Sequence, residues 1–103
     1  MTNNLYNIVS KTSTEIKIKL CDKNHSIFKA HFPNNPILPG FLQIDIIAEI
    51  LEDKITTINK SKFISHILPN DEIMYNITIK NNKKIIKIMK KDKKISEFTY
   101  ETS

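Results

Sequence analysis

Apolar and polar residues alternate over several short stretches of this chain. Glu15-Ile16-Lys17-Ile18-Lys19-Leu20 alternates strictly, which is the period of a half-buried strand. Residues 72–80 repeat the pattern, with Ile73, Tyr75, Ile77 and Ile79 on one face. Residues 5–10, 62–68, 84–90 and 95–101 read as further strands. Pro69-Asn70-Asp71 and Asn81-Asn82 fall between them as turn signals, because Asn and Asp bond their own backbone and Asn tolerates positive φ. One segment breaks the period of two. Over residues 41–53, Phe41, Leu42, Ile44, Ile46, Ile47, Ala48, Ile50 and Leu51 cover nearly the whole circumference of a helix. Only Gln43, Asp45, Glu49, Glu52 and Asp53 interrupt them, and a helix apolar all round is a buried one. Two strands, a helix and an antiparallel meander predict the α+β class, with an antiparallel sheet of five or six strands wrapped around one long buried helix. No repeat, linker or shift of composition divides the chain, so residues 1–103 are expected to form a single domain with one core.

Charge changes this picture little. The chain carries 16 basic and 11 acidic residues, a net charge of +5 and a pI near 9.3. Every basic residue is lysine, whereas the forked contacts that read phosphates and base edges favour arginine. The lysines also alternate with isoleucine, as solvated strand faces do, so nucleic acid is not expected as a partner. The excess does suit an acidic protein partner. No stretch approaches the roughly 18 apolar residues of a membrane span, and residues 1–20 lack the charged-then-apolar layout of a signal peptide. Cys21 is the single cysteine and has no partner for an intramolecular disulfide. Together these point to a soluble protein in a reducing compartment, most simply the cytoplasm. No His/Cys/Asp spacing suggests a metal.

The candidate chemistry gathers in His31-Phe32-Pro33-Asn34-Asn35-Pro36-Ile37-Leu38-Pro39-Gly40, just before the helix. Three of the four prolines and the only glycine lie here, so the loop is stiff and extended. The glycine marks a place where close backbone approach or an unusual φ/ψ is needed. A rigid loop presenting an imidazole beside a helix that carries a carboxylate, Asp45, is a layout for general acid–base chemistry. His31 would be the base, since imidazole titrates near neutrality. Asp45 has Phe41, Leu42, Ala48 and Glu49 as its helical neighbours. One reading leaves it a solvent-facing charge; the functional one holds it in an apolar cleft, where a carboxyl becomes a proton donor. Glu49, one turn on, is the second candidate acid. Phe32 and Phe41 are core or the wall of a binding channel, and His25 and His66 read as surface or rim residues.

This order of elements resembles the hotdog fold, and the loop resembles the active-site motif of the 3-hydroxyacyl-[acyl-carrier-protein] dehydratases. That motif is His-Phe-Pro-Gly-x-Pro-x-x-Pro-Gly, with an acidic residue five positions after the last glycine. His31, Phe32, Pro33, Pro36, Pro39 and Gly40 match it, Asp45 stands at the acidic position, and Pro69-Asn70-Asp71 stands where the family has Pro-Gly-Asp. Three departures stand out: Asp45 where the short enzymes carry Glu, Asn34 for a glycine, and Glu49 for a residue that is often Gln. A small dehydratase-like branch linked to aryl-polyene lipid synthesis shows Leu-Pro-Gly and then Gln-Ile-Asp, and Leu38-Pro39-Gly40 with Gln43-Ile44-Asp45 resembles it most closely.

The resemblance implies β-elimination of water from a 3-hydroxyacyl thioester, giving the trans-2-enoyl thioester, in fatty-acid or related lipid and polyene synthesis. His31 would take the α-proton, Asp45 would protonate or position the departing hydroxyl, and the Gly40 N–H would bind the thioester carbonyl. No metal or redox cofactor is implied, and the acyl chain would arrive on the phosphopantetheine of an acyl carrier protein. His31 of one chain would face Asp45 of another across a homodimer, and a small sheet with uncovered edges favours pairing independently. Two rivals remain: a hotdog acyl thioesterase whose carboxylate activates water, and a non-catalytic acyl-thioester-binding protein.

Overall fold

The structure, a computed structural model, describes residues 3–30 and 34–103. Six strands form one sheet: β1 (Tyr6–Lys11), β2 (Glu15–Leu20), β3 (Ile55–Phe63), β4 (Glu72–Lys80), β5 (Lys83–Lys90) and β6 (Lys93–Thr102). They lie in the order β1-β2-β4-β5-β6-β3, and every neighbouring pair is antiparallel. Two helices sit between β2 and β3 in the chain, α1 (Ser26–Ala30) and α2 (Gly40–Leu51).

The alternating stretches behave as their period requires. Cross-strand partners share a face, so the pairings Ile18↔Ile73, Tyr75↔Ile88, Ile77↔Ile86 and Ile86↔Phe98 set one apolar face against α2. Ile16, Ile18, Leu20, Ile73, Tyr75, Ile86, Ile88, Phe98 and Tyr100 are buried there with Leu42, Ile46 and Ile47 of the helix. Ile79 lies on the same side as Lys84 but is 66% exposed. Nine strand residues run for about 30 Å, whereas a twelve-residue helix covers only about 18 Å. The end of β4 therefore passes beyond the helix that covers its middle.

Both ends of α2 are tied to the sheet. The Tyr75 hydroxyl donates to the backbone carbonyl of Gln43 at 2.8 Å. Past the other end, the Asp53 carboxylate accepts from the Lys84 ammonium at 2.7 Å and from the Tyr100 hydroxyl at 2.7 Å. Burial first, and then the neighbouring Asp53 carboxylate, hold the Tyr100 phenol above its usual range. The turns use left-handed asparagines as expected, with φ of 68° at Asn70 and 58° at Asn81.

Four expectations need correction. The strand expected at residues 62–68 is β3, Ile55–Phe63, and residues 64–68 leave the sheet. Every β3 residue after Ile55 is exposed, because β3 is an edge strand, so it carries no alternation to read. The helix ends at Leu51 rather than continuing to Asp53; Glu52 turns left-handed with φ 55° and its N–H bonds the Ala48 and Glu49 carbonyls, which closes the helix. The short helix α1 was not expected at all. Finally, α2 is buried on one side only: Leu42, Gln43, Ile44, Ile46 and Ile47 face in, while Phe41, Asp45 and Glu49 form an exposed stripe.

Candidate active site

The loop enters α2 under tight backbone control. The Leu38 N–H donates to the Ile67 carbonyl at 2.8 Å, which ties the loop to the segment after β3. Pro39 is the N-cap, and its carbonyl accepts from the N–H groups of Leu42 and Gln43 at 3.1 and 3.2 Å. Pro39 has no donor to leave orphaned and its fixed φ suits this position. The next N–H, that of Gly40, has no hydrogen-bond acceptor among the described residues. It lies at the positive end of the helix, where oriented N–H groups favour an anionic or carbonyl oxygen.

Gly40 is glycine because of contact, not conformation. Its φ is not positive, yet a Cβ at this residue would sit 2.6 Å from Cε2 and 2.7 Å from Cζ of the Phe63 ring. Phe63, at the end of β3, thus lies directly on the helix start. Its pairing with Ser96 puts it on the helix side of the sheet, as Ile58↔Tyr100 does for Ile58. Phe63 is 44% exposed, Ile58 49% and Phe41 52%, so an apolar strip runs from the first turn of α2 onto the edge strand.

Asp45 and Glu49 continue the exposed stripe of the helix. Asp45 is exposed in the single chain, as the solvent-facing reading has it, and one chain alone does not form the apolar cleft of the functional reading. Glu49 is held: the Tyr6 hydroxyl of β1 donates to its Oε1 at 2.5 Å. Burial, and then the Glu49 hydrogen bond and charge, push the Tyr6 phenol well above its usual value. His31 and Phe32 lie outside the described residues. The structure thus brings Gly40, Phe41 and Asp45 onto one helix, with Phe63 against its start. His25 is a structural residue: its Nδ1 accepts the Ile27 N–H at 3.0 Å at the start of α1, so Nε2 carries the proton and donates to the Asn3 carbonyl at 2.7 Å. His66 is exposed.

Two features escaped the sequence. Gln43, grouped there with the polar interruptions, is 2% exposed; its Oε1 accepts from the buried Ser96 hydroxyl at 2.7 Å, and its Nε2 lies 3.4 Å from the Leu38 carbonyl. An uncharged amide in the first turn of an otherwise apolar helix was the available signal. Phe63 had none, since its role depends on which strand edge reaches the helix start.

A six-stranded antiparallel sheet folded over one long helix, with the loop feeding the helix at a glycine beside an edge strand, defines a hotdog protein with its candidate site at the helix start and the free edge. A family model described as ApeI-like, ApeI dehydratase, matches residues 7–99. The chain belongs to this family. The 3-hydroxyacyl-[acyl-carrier-protein] dehydratase FabZ of Petrotoga mobilis is 33% identical over 72 residues, covering 58% of this chain and 52% of that protein. The chain thus aligns with about half the length of such curated relatives. Among solved structures, the dehydratase heterocomplex ApeI:P from Xenorhabdus doucetiae aligns with a TM-score of 0.74 at 21% identity, over 93% of this chain and 96% of that one. The thioesterase superfamily member 2 of Mus musculus aligns with a TM-score of 0.62 at 14% identity, over 95% and 80%. At these identities both likenesses speak to the fold alone.

Proposed function

We propose that this chain is a hydro-lyase that removes water from 3-hydroxyacyl thioesters carried by acyl carrier protein. The observation that carries the reading is the start of α2: a glycine N–H without an acceptor among the described residues, followed on the exposed stripe by Asp45. The thioester carbonyl would accept from the Gly40 N–H, which stabilises the enolate-like charge that develops as the α-proton leaves. His31 takes that proton. The C3–O bond breaks, and the leaving hydroxyl departs as water with a proton from Asp45, leaving the trans-2-enoyl thioester. Gly40 to Asp45 spans about 7.5 Å along the helix axis, a spacing that suits a carbonyl at one end and a 3-hydroxyl near the other.

Acid catalysis asks for apolar cover over Asp45, and in the single chain that residue is exposed. A second copy docked on the free β3 edge and the Phe41–Phe63 strip would supply the cover, so the working unit in this reading is a homodimer. The strip's exposed Ile58, Phe63 and Phe41 support it. The residues of the helix start resemble those of a small branch linked to aryl polyenes, and lipid or polyene synthesis is the corresponding pathway class. The test is direct: incubate the protein with a 3-hydroxyacyl thioester and follow the 2-enoyl product by mass spectrometry. Formation of the enoyl thioester is expected. Release of the free acid instead would point to thioester hydrolysis, and tight binding without turnover would point to a non-catalytic acyl-binding role; either refutes the dehydratase reading.

A further inference from the structure

The exposed stripe of α2 changes character along its length. Phe41, Asp45 and Glu49 succeed one another four residues apart, which stacks them on one side of the helix, and Glu52 follows at its C-cap. All four are exposed. The first is apolar and the others are carboxylates, and no basic residue stands in the last turn to offset them. The C-terminal end of a helix carries negative partial charge of its own, so the stripe runs from an apolar start to an acidic end. Glu49 is fixed in place from the sheet. Tyr6 of β1 donates its hydroxyl to Glu49 Oε1 at 2.5 Å, and the pairing of Tyr6 with the buried Leu20 turns its ring to the helix side. Burial first, and then Glu49, hold the Tyr6 phenol above its usual value, so it remains the donor at neutral pH. The Tyr6 phenol in turn adds to the burial that raises Tyr75, which places the two phenols near each other.

Position decides what this pair meets. In the dehydratase reading the thioester carbonyl lies at the Gly40 N–H and the 3-hydroxyl near Asp45, and the acyl tail, continued in the same direction, runs toward Glu49. Glu49 stands one turn beyond Asp45, about 6 Å along the axis, which leaves room for only a few methylenes. We propose that the Tyr6–Glu49 pair is the end stop of the acyl site and selects 3-hydroxyacyl groups with short tails over those with long apolar ones. The proposal rests on the dehydratase reading for where the chain lies, and adds which acyl groups it accepts. A longer tail has to lie on Glu49 and then Glu52 and strip water from them, and an ionised carboxylate that loses water without gaining a partner is strongly destabilised. A tail that ends before Glu49 leaves that carboxylate hydrated and bonded to Tyr6. Cover by a second copy sharpens the difference, because charge acts more strongly where water is excluded. Selectivity then comes from a penalty against the long substrate rather than from a contact made only by the short one.

The experiment measures length preference in two ways: turnover of 3-hydroxybutyryl- and 3-hydroxydecanoyl-pantetheine, and calorimetric binding of the saturated butyryl and decanoyl thioesters, which have no hydroxyl to lose. The unmodified protein should favour the short substrate in kcat/KM by at least about tenfold. Tyr6→Phe/Glu49→Leu removes the charge and the hydroxyl together and strands neither. It should raise the decanoyl-to-butyryl ratio at least about tenfold in both measurements. Glu49→Gln keeps the shape and an acceptor for Tyr6 but removes the charge. It should move the ratio the same way by a smaller factor, and it guards against a double variant that fails to fold. A ratio unchanged in Glu49→Gln and in the folded double variant, or a preference for the decanoyl group in the unmodified protein, overturns the proposal. If the unmodified protein turns over neither substrate, the dehydratase reading falls and the binding ratios alone decide the end stop; binding of neither thioester overturns the end stop as well.

Discussion

Gln43 offers the sharpest test of how the helix start is built. Its Oε1 is the acceptor for Ser96 Oγ at 2.7 Å, and Ser96 is 0% exposed and Gln43 2%. Gln43→Leu keeps most of the volume but leaves the Ser96 hydroxyl in the core without an acceptor. An orphaned buried hydroxyl costs about 1–3 kcal/mol, and the lost hydrogen bond is part of that sum. Leucine burial offsets some of it, so the expected net loss is about 1–2 kcal/mol. Ser96→Ala strands the Gln43 carbonyl oxygen instead and should cost a similar amount. Removing both groups together removes the polar pair and leaves nothing stranded, so Gln43→Leu/Ser96→Ala should lie near the unmodified protein. The contact of Gln43 Nε2 with Leu38 is 3.4 Å and adds little.

The assay is thermal or urea unfolding at one protein concentration, because association shifts apparent stability. For a chain of this size, 1 kcal/mol moves Tm by roughly 4–8 °C, so each single variant should be visible and the double variant should recover most of the loss. The coupling should be about 2 kcal/mol in favour of the double. Strict additivity, with the double variant losing the sum of the singles, would refute the shared hydrogen bond. Turnover supplies a second check. Tyr75 bonds the backbone carbonyl of Gln43 and Leu38 bonds Ile67, so the helix start stays anchored in these variants, and activity should change by much less than tenfold.

Three further outcomes are expected. His31→Ala and Asp45→Asn should each lower dehydration by about 10²–10⁴ in folded protein, while Glu49→Gln costs little; a large loss in Glu49→Gln with Asp45→Asn near normal would move the acid one turn along the helix. Phe63→Asp should convert a dimer into a monomer by light scattering and abolish turnover with it, and a stable monomer in the unmodified protein at micromolar concentration would refute the paired site. Tyr6, Tyr75 and Tyr100 all hold their phenols above the usual value, chiefly through burial. Because the folded values are raised, their stabilising effect is full below about pH 10 and declines as the unfolded chain alone releases phenolic protons above it. Phenolate absorbance should therefore appear together with loss of the sheet signal, and ionisation of all three phenols in a fully folded protein would contradict it.

What the sequence made legible was one-sided burial. β2 and β4 were readable to the residue, since each presents one face to α2 and the other to water. The placement of Gly40 at the start of α2 and of Asp45 on the same helix was likewise readable, because the Pro-rich loop leads directly into the apolar run that forms it. The failures share a cause. β3 was misplaced because both its faces are open in the single chain, and only its register with β6 reveals it. α2 read as buried all round because Phe41 is apolar yet 52% exposed. Ile58 and Phe63 belong to the same set, at 49% and 44%. Three of the exposed apolar side chains, Phe41, Phe63 and Ile58, run in a line beside the Gly40 N–H, which has no acceptor among the described residues. The sequence thus encodes more burial along that line than one chain provides, and a second copy laid on the β3 edge would supply the remainder at the place where Asp45 needs cover.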